Sequence, residues 1–324
     1  MEAGSHLSEE VGARLNRILE ENPTVDMLKE LPPEIQLHMA VQMRYPDVVR
    51  FCATSTEAER VCSTDYFWKL KSEHDFPDKS VGSEGKRRET YKQYWQDAQE
   101  KFLECARLGH TECIESSLQL GIDPNFQNKF GETALLWAAS YRHRDIVRLL
   151  LEYGAKPDIR SVTGRTALGV SIEHDRLRWE WSPGDIRIIA LLLEHGANPD
   201  ISNKLGNTAL INASHVADID IVRLLLEHNA NPNLPNKRGN TALIEASGDS
   251  FVEHTDIVRL LLEHGAKPDL QIRNGWTAIK VASYDGYIET VRLLLNAGAD
   301  PQGALILASN QQHADIVALL SDKS

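Results

Sequence analysis

Positive charge is in short supply. Lys and Arg number 35 against 47 Asp and Glu, which leaves a formal charge of −12 over 324 residues. Such a balance argues against nucleic acid or an anionic membrane as the main partner, because phosphate recognition needs clustered cations. Long apolar runs are missing too: no stretch nears the ~20 residues that span a bilayer, and no signal peptide is read at the start. Cysteine is sparse. The four present, Cys52, Cys62, Cys105 and Cys113, lack Cys-x-x-Cys spacing, and two of them fall inside apolar helical patterns. Buried free thiols in a reducing compartment are the expectation. The chain is expected to be intracellular, cytoplasmic and monomeric on its own. Catalytic signatures are absent as well, with no His-Glu-x-x-His, Gly-x-Ser-x-Gly or Walker-type loop.

Repetition is what the chain has in abundance. Gly-x-Thr-Ala-Leu/Ile begins at Gly131, Gly164, Gly206, Gly239 and Gly275, at intervals of 33, 42, 33 and 36 residues. A period in this range indicates a solenoid. In the unit 206–238, Thr208 starts a short helix whose small residues, Ala209 and Ala213, permit close approach of a neighbour. Asp220 starts a second helix with an apolar face from Ile221, Val222, Leu224, Leu225 and Leu226. Asn229 stands where the other units have Gly154, Gly196, Gly265 and Gly298, and these two residue types adopt the left-handed conformation most cheaply. Asn-Pro-Asn-Leu-Pro-Asn-Lys-Arg then projects as a loop. The unit reads helix, turn, helix, extended loop.

These residues resemble ankyrin repeats, whose pattern runs Gly-x-Thr-Pro-Leu-His-x-Ala-Ala, Gly-His-x-x-Ile-Val-x-Leu-Leu-Leu, Gly-Ala-Asp-x-Asn. Here Ala134, Ala167, Ala209, Ala242 and Ala278 replace the usual Pro, and Leu136, Gly169, Ile211, Ile244 and Lys280 replace the usual His. The resemblance covers 98–324 and implies an all-α solenoid of seven units: 98–130, 131–163, 164–205, 206–238, 239–274, 275–302 and 303–324. The outer two are degenerate capping units, as expected where nothing covers the outer face.

Residues 1–27 form a Glu-rich lead, read as either a loosely docked helix or disorder. Residues 28–76 differ in character, with apolar residues at helical spacing and breaks. Leu31-Pro32-Pro33-Glu34 puts prolines in a first helical turn, where the missing N–H costs nothing. Tyr45-Pro46-Asp47 ends this helix and opens another, and Ser63, Thr64 or Asp65 caps a third carrying Phe67, Trp68 and Leu70. Three short helices bury little surface alone. The segment resembles an F-box, a family that docks on the Skp-type adaptor of a Skp–cullin–F-box ubiquitin ligase. By position, that resemblance implies Leu31, Pro32, Ile35, Val48 and Trp68 as adaptor contacts. Gln36, His38 and Gln42 make the first helix less apolar than the family's. An ordinary helical cap on the stack is the competing reading. Residues 77–97 read as a polar linker and a connecting helix.

A repeat stack binds partners along loop tips and first-helix faces. Phe130, Tyr141, Arg165, Trp276 and Tyr284 fall there, and exposed aromatics anchor interfaces. The third unit carries nine extra residues around His174 to Gly184, including Trp179 and Trp181, and the fifth carries three extra between Gly248 and Thr255. Loop insertions commonly carry function, so both indoles join the expected client contacts. Twelve histidines raise the question of a metal site. His195, His228 and His264 occupy one repeat position at a helix C-terminus, where a partly positive side chain is favoured; one per repeat, they cannot converge on an ion. Catalytic, metal and cofactor residues are all read as none. Two functions remain open: a ubiquitin-ligase substrate receptor, or an ankyrin scaffold or inhibitor that recruits no ligase. The pairing of these two families is met in large DNA viruses and some intracellular bacteria, where it acts on host ubiquitin machinery.

Overall fold

The computed structural model describes residues 33–53, 56–172, 185–248 and 254–321. Every regular element among them is a helix, and they divide into two compact units, Met1–Glu100 with Gln119–Ile122 and Lys101–Leu118 with Asp123–Ser324.

Among the first unit's described residues, 33–76 hold four short helices where three were expected: α1 (Pro33–Gln42), α2 (Tyr45–Cys52), α3 (Thr56–Ser63) and α4 (Asp65–Asp75). The additional helix is α3, whose TEAERVCS is polar on the whole, with the small residues Ala58, Val61 and Cys62 as its apolar stripe. Thr64 caps α4, accepting from the Phe67 N–H at 3.2 Å. Met39, Ala40, Val48, Phe51, Ala58, Phe67 and Trp68 form the core, with Tyr91 from α5 (Arg87–Leu108).

The centre of this unit is polar. The Lys71 side chain is buried, and its ammonium donates to the Val41 and Met43 carbonyls at 2.9 and 2.6 Å and to Asp75 Oδ1 at 2.9 Å. It thereby satisfies carbonyls at the end of α1 that have no intrahelical partner. Trp68 Nε1 does the same for α3, donating to the Cys62 carbonyl at 2.8 Å. The Tyr91 hydroxyl donates to Asp75 Oδ2 at 2.5 Å. Burial pushes the Lys71 ammonium below the usual lysine range, and the hydrogen bond and charge of Asp75 oppose that shift.

All four cysteines are paired, so the expectation of free thiols is wrong and its argument for a reducing compartment falls with it. Cys52–Cys62 joins α2 to α3, and Cys105–Cys113 joins the end of α5 to α6 (Thr111–Leu120). Their Cα separations of 5.8 and 6.1 Å lie within the range a disulfide spans. Each pair straddles a turn between helices, which brings cysteines ten or eight residues apart side by side.

The second unit stacks helix pairs in two rows. The first-helix row is α7 (Ala134–Ser140), α9 (Ala167–Ile172), α11 (Ala209–His215), α13 (Ala242–Ser247), α15 (Ala278–Asp285) and α17 (Ala304–Asn310). The second row is α8 (Arg144–Glu152), α10 (Ile186–Glu194), α12 (Ile219–Glu227), α14 (Thr255–Glu263), α16 (Ile288–Asn296) and α18 (Ala314–Ser321). Each helix packs on its partner and on the next of its own row. Buried alanines such as Ala138, Ala213, Ala246 and Ala282 let the first row close up. Leu150, Leu192, Leu225, Leu261 and Leu294 repeat one position in the second row and are fully buried. Each contributes roughly 1.5–3 kcal/mol of apolar transfer.

Thr133, Thr208 and Thr241 are caps rather than first helical residues, their hydroxyls accepting from Leu136, Ile211 and Ile244 N–H. Asn229 takes φ +61, as expected from the glycines at its position. His195 and His264 bond the Leu191 and Leu260 carbonyls at 2.8 and 2.9 Å, the helix-end role anticipated for them.

Between repeats the loops close and then join. The Gly206 N–H donates to the Asn203 carbonyl, and Asn203 Oδ1 accepts from the Leu205 and Asn207 N–H groups; Asn128 and Asn236 repeat this. Successive loops are linked by Val162 N–H to Phe130 O (2.8 Å), Lys204 to Thr163 (3.1 Å), Lys237 to Leu205 (3.0 Å) and Arg273 to Arg238 (3.5 Å). A second ladder runs from backbone to side chain: Lys156, Asn198, Asn231, Lys267 and Asp300 N–H donate to Asn125, Asp158, Asp200, Asn233 and Asp269.

Two substitutions separate the components of this structure. Lys71→Ala strips the buried Asp75 carboxylate of its lysine counter-ion, leaving it only Tyr91 and His74, and removes the Lys71 donor from the Val41 and Met43 carbonyls, so amide protection over 33–75 should fall by about 3–5 kcal/mol; unchanged exchange would contradict the buried pair's role. Gly206 and Gly196 share left-handed φ (+83° and +81°), but a Cβ on Gly206 would lie 2.6 Å from Lys237 N, whereas one on Gly196 meets nothing within 4 Å. Gly196→Ala should therefore cost only the backbone term of about 1–2 kcal/mol, and Gly206→Ala clearly more, in denaturant titrations. Equal losses would show that loop-to-loop closeness is not what demands glycine.

Candidate functional site

The residues expected to meet an adaptor divide in three ways. Leu31 and Pro32 lie outside the described residues, and Ile35 is on α1 with its side chain also outside them. Val48 and Trp68 are 0% and 3% exposed. They face the unit's own core: Trp68 sits edge-on to Phe67 at 4.8 Å and 5.3 Å from Tyr91. Neither is available as a contact in this conformation, because helices this short need their largest side chains inside. Val49 and Tyr66 are the large apolar side chains this unit exposes among the described residues.

Among the expected client contacts, Trp179 and Trp181 lie outside the described residues. Phe130 projects from a loop tip at 54% exposure, with Lys129 Nζ 5.1 Å from its ring centre. Tyr141 is exposed at the end of α7, 5.9 Å from Trp137 and stacked 6.3 Å from His143. Trp276 is half-buried against Tyr284, the rings meeting edge-on at 5.4 Å. Arg165 is half-buried, its Nε donating to Thr163 and its guanidinium 4.0 Å from Glu132. The structure thus gathers the aromatics into local pairs within single repeats rather than into one continuous anchor.

A groove of about 530 Å³ lies between the third and fourth repeats. Its walls include Arg165, Lys204, Asn207, Asn212 and His215, with Ile172, Leu205 and Val216 as apolar surface. Asn207 Oδ1 accepts from Asn236 Nδ2 at 2.9 Å, which fixes that amide. On the next repeat, Glu245 sits 3.4 Å from His215 Nδ1 and accepts from Asn240 at 2.6 Å. Burial raises the Glu245 carboxyl pKa, but the hydrogen bonds from His215 and Asn240 and the charges of His215 and Arg238 outweigh it, leaving it below the usual range. Lys204 and its groove were not singled out from the sequence. The available signal is the basic residue two places ahead of Gly131, Gly206, Gly239 and Gly275.

Among the described residues, no group of three or more His, Cys, Asp or Glu is placed to share a metal ion, and no helix is long and apolar enough to cross a membrane.

A family model for ankyrin repeats matches at 102–178, 181–272, 236–303 and 253–324, more than half of the chain. An ankyrin repeat domain from Acinetobacter baumannii AYE superimposes with a TM-score of 0.56 at 30% identity, covering 62% of this chain and 98% of that one. The ankyrin domain of Bcl-3, a member of the IkappaB protein family, superimposes with a TM-score of 0.56 at 26% identity, covering 67% and 97%. A putative ankyrin repeat protein of Acanthamoeba polyphaga mimivirus is 36% identical over 62 residues, 19% of this chain and 38% of its own length. Calmodulin-binding transcription activator 6 of Arabidopsis thaliana is 38% identical over 71 residues, 22% of this chain and 8% of its own. The chain thus spans well under half the length of these last two relatives. What they share with it is the repeat: the chain belongs to the ankyrin-repeat family, whose repeats imply a role in protein–protein interaction.

Proposed function

We propose that this protein is a substrate receptor of a Skp–cullin–F-box ubiquitin ligase, its repeat stack holding a client and its N-terminal helices holding the Skp-type adaptor. The observation that carries the reading is the division into two units. The helices of 33–75 have their own core and none of the repeat signature, and they expose Val49 and Tyr66. In this role the protein performs no chemistry. It raises the effective concentration of client lysines near the charged ubiquitin.

One observation favours the other reading, a scaffold or inhibitor that recruits no ligase: Val48 and Trp68 are spent on internal packing. If adaptor contact occurs, it falls to Leu31, Pro32, Ile35 and the exposed Val49 and Tyr66. Immobilised Skp-type adaptor should retain the full chain, and should lose about tenfold or more in affinity to the full chain carrying Leu31→Ala with Pro32→Ala, or Val49→Asp with Tyr66→Asp. If the adaptor ignores all three proteins alike, the receptor reading fails and the scaffold reading takes its place.

A further inference from the structure

The loops ahead of the repeat glycines carry a row of cations on an otherwise acidic chain. Lys129, Lys204, Lys237, Arg238 and Arg273 are all exposed. Among the described residues none of the five is within ion-pair distance of a carboxylate. The loop-to-loop backbone bonds hold them in sequence along one edge, so their fields add. Three large apolar side chains alternate with them at the same tips: Phe130, Val162 and Leu205, at 54%, 57% and 67% exposure. Leu205 and Lys204 also border the 530 Å³ groove, where Arg165 supplies a second cation and Asn212 an amide that no other described residue engages.

We infer that this edge receives an extended, acidic segment of a partner protein. Its carboxylates face the cation row, its apolar side chains lie on Phe130, Val162 and Leu205, and one carboxylate enters the groove against Arg165 and Lys204. The inference rests on the partner-binding role of the stack and specifies the chemistry of what binds. Nucleic acid is the other polyanion the row could meet. Of the three apolar side chains at the tips only Phe130 offers a base a stacking surface, while Val162 and Leu205 offer none, so the observations favour a protein segment.

The test is selection of displayed random peptides against the full chain. It is repeated on the variant Lys204→Glu/Lys237→Glu/Arg238→Glu/Arg273→Glu and on Arg165→Gln, with labelled oligo-dT as a separate probe. The four reversed side chains are exposed and Arg165 is half-buried; circular dichroism should show that both variants keep the native helical fold. Peptides selected by the native chain should be rich in Asp and Glu interleaved with apolar residues. Their affinity should drop about tenfold or more on charge reversal and about tenfold on Arg165→Gln, the factor carried by one charge-assisted contact, and should weaken as salt rises. Selected peptides that are neutral or basic overturn the acidic inference while leaving partner binding in place. Oligo-dT binding abolished by the charge reversal, without acidic peptides, overturns it in favour of nucleic acid. No enrichment above the unselected library overturns both the inference and the reading beneath it.

Discussion

Each repeat loop has to bring a backbone N–H to the carbonyl of the loop before it. That approach leaves no space for a side chain at the glycine beside it. Gly206 and Gly239 would each place a Cβ under 3 Å from the next loop's backbone. Hydrophobic burial drives the helices together but is non-directional. The loop-to-loop bonds, with the Asx ladder from Asn125 to Asp269, are directional and set the register between neighbours. Register in turn puts residue after residue of the same repeat position along one edge. The binding surface is therefore a consequence of the stacking geometry, and its chemistry is written by whatever side chain each repeat carries there.

The N-terminal unit is built on a different principle. Its organising contact is ionic: the Lys71 ammonium, surrounded by the Val41 and Met43 carbonyls and Asp75, ties α4 to the end of α1. A buried lysine costs desolvation, and this one is tolerated because its three donors are all used. Trp68 closes α3 in the same way. Two side chains one turn apart on α4 thus terminate two other helices. This explains how short, weakly apolar helices hold a common core, and why Trp68 is not available at the surface.

Much of the stack was legible from local patterns. The Gly-x-Thr-Ala-Leu period marks the repeats, Asn229 stands at the glycine position that takes a left-handed backbone, and the Leu-Leu-Leu-Glu-His pattern places its histidines at helix ends. What escaped notice depended on tertiary placement. Cys52 and Cys62 have no motif spacing, and only the turn between α2 and α3 pairs them. Lys71 looks like any solvated lysine until its helix is packed. Arg142, Ala217 and Gln312 adopt φ of 60–63° where Gly109 and Gly286 stand in other repeats, a backbone demand imposed by the stack against local preference. The basic row was present in the sequence but masked by the overall acidity, since five cations spread over several repeats leave the net charge at −12.

The loop tips form one locked edge rather than independent loops. Residue-resolved amide exchange on the native chain tests it directly. Val162, Lys204 and Lys237 are exposed residues whose N–H groups donate to the preceding loop, whereas the Lys129 N–H at the same position of the first loop has no partner among the described residues. Exchange should be slow at those three, faster at Arg273 with its longer 3.5 Å bond, and fast at Lys129. Uniformly fast exchange at all five would mean that the loops move separately, and the edge would no longer be a preformed surface.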